Sequence, residues 1–257
     1  MKPQRTQGTQ RGRVGEGETR RVRWPKPTWQ TRNGRVRLYL GDCLNLLPRL
    51  PRECIDAVVT DPPYGMKADT DSRRFSGGKL ADRQRGRNWP RIINDDVPFD
   101  PAPWLRFSRV VIWGANHFAS NLPVGTTLVW LKKDDRHFGT FLSDAEVAWM
   151  KTGHGVYVHR QNFWPPSRLA EWGGSVAAHP TQKPIGLMAW CMDRAKVLPG
   201  QLVLDPYMGS GTAGVAAIRT GRRYVGCEID PTYFATAVAR IKAELAAQRK
   251  AVRQGAA

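Results

Sequence analysis

The sequence predicts an α/β fold: a seven-stranded, mostly parallel sheet with helices on both faces. Two observations carry this. Seven short apolar runs rich in β-branched or aromatic residues read as strands, and most lack the polar alternation of a strand with one face in water. Helical patterns separate several of these runs, and strands alternating with helices bury a parallel sheet on both sides.

The strand runs are Val36 to Leu40, Asp56 to Thr60, Arg109 to Trp113, Leu128 to Leu131, Glu146 to Met150, Leu202 to Leu204 and Arg223 to Cys227. Ile185, Met188, Met192 and Ala195 follow Pro184 at helical spacing, and Phe234, Val238, Ile241 and Leu245 follow Asp230-Pro231. Each proline reads as the first helical residue, where its missing N–H costs nothing. The turn signal Leu198 to Gly200 ends the first helix. A chain of 257 residues is long enough for one sizeable core, read here as a single domain over 35–250.

Forty Lys and Arg against 22 Asp and Glu leave a formal charge of +18, which favours a polyanionic partner, nucleic acid first among them. Part of the surplus lies in residues 1–34, a segment rich in Arg, Gln, Thr and Gly without apolar periodicity. It reads as a basic arm that stays disordered until it meets a partner. Glu16, Glu18 and scattered prolines argue against a transit peptide, and no apolar run suits a signal or membrane segment. A soluble, cytoplasmic protein with no membrane partner is expected. Cys43, Cys54, Cys191 and Cys227 form no C-x-x-C pair and read as reduced thiols; the five histidines have no metal-ligand spacing, so no metal is expected.

Two stretches break the alternation. Residues 66–101 carry eight basic and six acidic residues, and residues 151–178 scatter Trp, Phe, Arg and His without a period. Insertions of this length are usually functional or disordered. Arg73, Arg74, Lys79, Arg83, Arg85 and Arg87 in the first have the chemistry to grip phosphates, although a solvated mixed-charge loop has the same composition. Trp113, Asn116 and Phe118 are weaker candidates for a pocket border, Trp and Phe being more often core. Lys132, Lys133, Asp134 and Asp135 read as a charged turn.

The run GSGTAG, Gly209 to Gly214, fits G-x-G-x-x-G between a strand and a helix. Gly209 and Gly211 let backbone approach a ligand over the helix N-terminus. Glu228 ends the next strand, 23 residues after Asp205, where an acid can hold the two hydroxyls of a ribose. NAD, FAD and S-adenosylmethionine fit equally well. Position weighs against a dinucleotide, because that fingerprint normally opens its fold and here only one strand and one long helix follow.

A second run, TDPPYG from Thr60 to Gly65, ends another strand. An exocyclic amino group of adenine or cytosine is a poor nucleophile, its lone pair being delocalised into the ring. Two acceptors aimed at its N–H bonds draw the nitrogen toward tetrahedral geometry and support the charge that develops as it attacks. Asp61 offers one acceptor and the Pro62 carbonyl the other. Consecutive prolines restrict the backbone and remove competing donors. Tyr64 offers a ring on which a base can stack.

DPPYG, then HPTQKP (His179 to Pro184), then DPYMGSGTAG (Asp205 to Gly214) resembles, in that order, the S-adenosylmethionine-dependent DNA amino-methyltransferases that modify adenine N6 or cytosine N4. The catalytic motif preceding the cofactor motif resembles the permuted β group. The resemblance spans residues 35–245 and implies a Rossmann-like methyltransferase fold with circularly permuted motif order. It implies a catalytic loop of Asp61, Pro62, Pro63 and Tyr64. It also implies a cofactor site in which Asp205, Gly209 and Gly211 line the methionine moiety, Glu228 lies by the ribose and Asp42 near the adenine, with Pro206, Ser210, Thr212 and Lys183 also counted as cofactor-binding. Lys183 lies in the segment leading to the helix beside the cofactor. The helix N-terminus then serves a methionine carboxylate rather than a pyrophosphate.

The resemblance further implies double-stranded DNA as substrate and direct attack of the amine on the sulfonium methyl. Methylation of cytosine C5 needs a cysteine nucleophile in a Pro-Cys pair, which this chain lacks. Asp at the first position of the loop favours adenine N6, with cytosine N4 as the nearest alternative, and RNA or a protein amide behind it. An NAD-dependent oxidoreductase and a nonenzymatic DNA-binding protein are the rivals from other classes. DNA-contacting insertions are expected at about 66–101 and 151–178, the second small enough to favour a short recognition sequence. A homodimer and a partner restriction endonuclease are both compatible with the sequence, which decides neither.

Overall fold

The structure, a computed structural model, describes residues 23–71, 90–140, 143–162 and 182–255. Among these, nine strands form one sheet: β1 (Trp29–Gln30), β2 (Val36–Leu40), β3 (Ala57–Thr60), β4 (Val110–Trp113), β5 (Thr126–Leu131), β6 (Ala145–Met150), β7 (Val156–Arg160), β8 (Leu202–Asp205) and β9 (Arg223–Glu228). Their order is β1-β2-β9-β8-β3-β4-β6-β5-β7. All neighbours pair in parallel except β1 with β2 and β6 with its two flanking strands, so only β1 and β6 run against the rest.

The seven expected strands form within one or two residues of their expected limits; the two additional strands lie at the sheet edges. β1 has two residues, too few for a pattern to register. β7 falls inside the stretch that looked aperiodic. Its Val156, Tyr157 and Val158 are exposed, so burial left no signature there. Residues 23–34, counted with the arm, are ordered: β1 pairs with β2, Arg37 lies over the Trp24 ring, and the Tyr39 hydroxyl donates to the Pro25 carbonyl at 3.0 Å. The ordered part therefore includes residues 23–34; residues 1–22 lie outside the described residues.

The two faces of the sheet are covered unequally. On one, α3 (Ile185–Arg194), α4 (Thr212–Arg219) and α5 (Pro231–Gly255) pack on Val36, Leu38, Val59, Val111, Trp113 and Val203. The other is closed by four-residue helices, α1 (Cys43–Leu46) and α2 (Ala102–Leu105), with 3₁₀ turns and the side chains of Trp104, Phe107 and Phe118. Helices on both faces is thus correct in outline, but the second layer is mostly loops anchored by aromatics. Pro231 opens α5 as expected, whereas Pro184 caps α3 with extended ψ of 144° and the helix ends at Arg194, before Leu198. All four cysteines are free thiols.

Lys151, counted at the start of a recognition insertion, is a structural clamp. Its ammonium donates to the carbonyls of Leu105 and Phe107 at 2.7 and 2.8 Å, fixing the end of α2 against β6. Charge-assisted bonds to backbone carbonyls are each worth ~1.5–3 kcal/mol. Lys151→Met should therefore lower the free energy of unfolding by about 2 kcal/mol in urea titrations. An unchanged midpoint would show that the two carbonyls are equally well served by water.

Candidate active site

Parallel strands β2, β9, β8 and β3 lie side by side, and their C-terminal ends deliver Asp42, Glu228, Asp205 and Asp61 to one rim. Ligands in open α/β sheets bind at that edge, where chain order switches direction. The rim encloses a cleft with about 1000 Å³ of empty space, part of it open to solvent. It is lined by Asp42, Asp61, Pro62, Pro63, Lys183 and Asp205, and by Pro206, Gly209, Ser210, Thr212 and Glu228. Residues of all three motifs thus meet at one place, although more than a hundred residues separate the first motif from the other two.

Asp205 is buried and held by three donors, one acceptor site short of saturation. It accepts from the Thr60 hydroxyl at 2.7 Å, the Tyr224 hydroxyl at 3.1 Å and the Tyr207 N–H at 3.3 Å. Burial pushes its carboxyl up to about 7, and those donors restrain it only in part. Glu228 braces the glycine loop: its two oxygens accept from the N–H groups of Gly209 at 2.8 Å and Asp230 at 2.9 Å. Burial also raises this carboxyl. Asp42 caps α1 through the Leu44 N–H.

Two sequence-based assignments change. Gly211 does not line the cleft. It has φ of +82°, and a Cβ built on it would lie 2.9 Å from Ala237 of α5, so its smallness serves packing between α4 and α5. The N–H groups of Gly209 and Gly211 are committed to Glu228 and to the Met208 carbonyl, so they are not the free donors expected for an anion. Arg240 of α5, which the sequence did not single out, donates to the Ser210 carbonyl, the Ser210 hydroxyl and the Thr212 hydroxyl at 2.7, 2.8 and 3.1 Å.

Asp61 faces a buried charge cluster. Its Oδ1 accepts from the Tyr64 hydroxyl at 2.6 Å and its Oδ2 from the Lys183 ammonium at 2.7 Å. Lys183 also donates to the Tyr64 oxygen at 3.1 Å and sits 3.0 Å from Glu146, whose other oxygen pairs with Lys132 at 2.9 Å. Burial raises the Asp61 carboxyl from its ordinary value, with Lys183 and Tyr64 pulling it back. Glu146 is pushed up by burial yet held at about 2 by Lys183 and Lys132. Lys183, only 5% exposed, stays charged: burial opposes this, and Asp61 and Glu146 outweigh it.

Lys183 lines the cleft, but its ammonium serves the catalytic loop. Tyr64 does not line the cleft: its ring stacks on His117 with centroids 4.9 Å apart, and the backbone of Gly114 lies so close that a Cβ there would come within 2.1 Å of the ring. Stacking of a base on Tyr64 would therefore require the side chain to turn out. Trp113 and Phe118 are core, and Asn116 is exposed away from the cleft. The charged turn beginning at Lys132 proves to include a member of the cluster.

Sequence reasoning also missed Asp95. Its carboxylate accepts from the N–H groups of Tyr64 and Gly65, both at 3.0 Å, and of Ala68 at 2.7 Å, pinning the turn that follows Asp61. Residues 91–94, just before it, form part of the cleft wall. Only a buried acid within a mixed-charge loop could have signalled this, and burial is invisible in sequence. Arg73, Arg74, Lys79, Arg83, Arg85 and Arg87 lie outside the described residues, as do His179 to Thr181 of HPTQKP.

Comparison with known proteins points to DNA methyltransferases as well. The family model described as DNA methylase matches residues 127–239, which takes in the glycine loop but not Asp61. The Type II methyltransferase M2.DpnII of Streptococcus pneumoniae is 24% identical over 250 residues, covering 80% of this chain and 90% of the relative. The DNA adenine methyltransferase YhdJ of Escherichia coli (strain K12) is 25% identical over 242 residues, with 78% and 81% covered. The solved PvuII DNA methyltransferase (cytosine-N4-specific) shares the fold, with a TM-score of 0.51, 18% identity and coverage of 80% of this chain and 86% of that one. The chain is thus similar to DNA methylases over residues 127–239, and to these DNA methyltransferases over about four fifths of its length.

Proposed function

We propose that the protein transfers a methyl group from S-adenosylmethionine to the N6 amino group of adenine in double-stranded DNA. The observation that carries this reading is a carboxylate and a proline-locked carbonyl, Asp61 and Pro62, on the same rim as a cleft ending in the acid Glu228. The Escherichia coli relative, named as a DNA adenine methyltransferase, supports adenine as the target. The Type II designation of the Streptococcus pneumoniae relative supports a restriction-modification setting with a partner endonuclease. The work would be done in the cytoplasm, by a monomer or a homodimer. No helix among the described residues is long and apolar enough to cross a membrane.

The cleft fits the cofactor. Glu228 offers acceptors for ribose hydroxyls, Asp205 a carboxylate for the methionine ammonium, and Asp42 a polar edge near the adenine; Pro206, Gly209, Ser210 and Thr212 form the close wall. S-adenosylmethionine, when bound, supplies a methyl group activated by its positive sulfur. The chain's own residues do the rest. Asp61 and the Pro62 carbonyl accept the two N–H bonds of the target amine and stabilise the charge that develops on nitrogen. Tyr64 must first release Oδ1 of Asp61, which its hydroxyl now occupies. The methylated nitrogen then gives up one proton, with Asp61 the nearest carboxylate. Rotating the base out of a duplex costs a few kcal/mol, which contacts to the DNA backbone must offset. In this reading Arg73, Arg74, Lys79, Arg83, Arg85 and Arg87, which follow the catalytic loop in sequence, supply such contacts, with residues 1–22 adding sequence-independent affinity.

Incubation with methyl-labelled S-adenosylmethionine and mixed-sequence DNA, then digestion to nucleosides, should yield labelled N6-methyldeoxyadenosine. Labelled N4-methyldeoxycytidine would reassign the base, and no label in DNA would reject the activity. Asp61→Ala should cost about 10³-fold in kcat or more while leaving cofactor affinity intact. Glu228→Gln should instead weaken cofactor binding by about tenfold, the loss of roughly one charge-assisted hydrogen bond. Equal effects of both variants on both quantities would undo the division of labour.

Asp205 makes a separate prediction for the protein without added cofactor. Its folded carboxyl is raised to about 7, so between the unfolded value and 7 the folded chain holds a proton that the unfolded chain has released. The associated stability is present at acid pH and lost as pH rises through that window. Thermal denaturation from pH 5 to 7.5 should show a shallower decline for Asp205→Asn than for the natural chain. Some slope should persist, because Asp61 and Glu228 are raised in the same direction.

A further inference from the structure

The cluster behind Asp61 poses an electrostatic problem. A buried ammonium paired with a single carboxylate would saturate it, leaving a poor acceptor for an incoming amine. Lys183 is not paired with Asp61 alone. It stands 2.7 Å from Asp61 and 3.0 Å from Glu146, so one positive charge is divided between two carboxylates from β6 and the turn after β3. Its well-directed hydrogen bonds go to Asp61 and the Tyr64 oxygen, while Oε2 of Glu146 is buried and carries no directed hydrogen bond. That oxygen already pairs with the ammonium at 3.0 Å and is placed to take up its hydrogen bond. Lys132 anchors the opposite oxygen of Glu146, so the side chain is fixed while Oε2 stays aimed at Lys183.

We propose that Glu146 is a positioning residue for methyl transfer: it shares the Lys183 ammonium with Asp61 and takes its hydrogen bond when the target amine arrives. Asp61 thereby stays ionised and oriented, yet keeps acceptor capacity. Asp61, Lys183, Glu146 and Lys132 sum to no net charge, but the chain ends in Asp61, so its negative end stands beside the nitrogen that becomes positive during attack, which favours the transition state over the ground state. Glu146 touches no substrate; it acts through Lys183. Other groups facing Asp61 are Tyr64, Asp205 and Cys191. Tyr64 and Cys191 are raised by burial and remain neutral, and Asp205 contributes only a weak like charge.

The proposal rests on the methyltransferase reading, and single-turnover rates with cofactor prebound, measured against pH, test the two separately. If the natural chain transfers no methyl group, that reading falls first. If it does, its rate should fall as acid protonates Asp61. Glu146→Gln removes a like charge and leaves Lys183 wholly to Asp61, so the rate constant should drop about tenfold while the acid limb moves to lower pH. Lys183→Gln should move that limb the opposite way, and Glu146→Asp should restore most of the rate. A purely structural role would lower the rates of both variants without displacing the limbs in opposite directions, and that result overturns the proposal. Should Glu146→Gln fail to fold, Lys132→Gln reads the same chain from its outer end: Glu146, freed of its anchor, draws harder on Lys183 and the acid limb should rise. An unmoved limb in that variant also overturns the proposal.

Discussion

The hydrogen bond from the Thr60 hydroxyl to Asp205, 2.7 Å long and wholly buried, joins the last residue of β3 to the last residue of β8. Those strands pair in parallel at the middle of the sheet. Because they run the same way and end together, the residues that follow each of them must emerge side by side. One emerging segment is Asp61-Pro62-Pro63 and the other is the glycine loop. The site follows from this pairing, and the covered faces of the sheet exist largely to keep these two strand ends in register. β9 on the far side of β8 adds Glu228, whose carboxylate closes the glycine loop from outside.

Burial of charge is the second organising fact. Asp61, Lys183, Glu146 and Lys132 alternate in sign beside the loop, with Lys183 and Glu146 each between opposite neighbours. Isolated, any of them would shift its pKa and neutralise; in sequence, each repays the desolvation of the next. Breaking such a chain leaves an uncompensated charge. Every member therefore matters to the others, even though only Asp61 stands at the position where chemistry is expected.

Legibility from sequence followed the same division. The central strands and the long helices were readable because burial on both sides forces continuous apolar runs and helical spacing. The DPPYG and DPYMGSGTAG loops were readable because proline and glycine have few alternative backbone uses. Glu146, Asp95 and Arg240 were not readable. Each is an ordinary charged residue within an element or loop whose pattern it does not disturb, and its role comes from a partner 30 or more residues away. The edge strand β7 was hidden for the converse reason, since exposed Val156 and Val158 carry no alternation against a polar face. Gly211 shows a motif match misleading in detail: the spacing was correct, but the glycine is required by Ala237 of a neighbouring helix.

Tyr64 ties the proline turn to the charge cluster. Its hydroxyl lies on Asp61, its ring on His117, and its N–H on Asp95, so side chain and backbone are held from three directions. The backbone tether to Asp95 is independent of the side-chain contacts. The ring can therefore leave His117 and Asp61 by rotation about its own side-chain bonds while the proline turn stays in place. A base entering the site would exchange one hydrogen bond to Asp61 for another and offer a planar surface in place of the imidazole. The exchange keeps the carboxylate satisfied on both sides of the motion, and a buried acid can change partners cheaply only where a replacement donor arrives as the first one leaves.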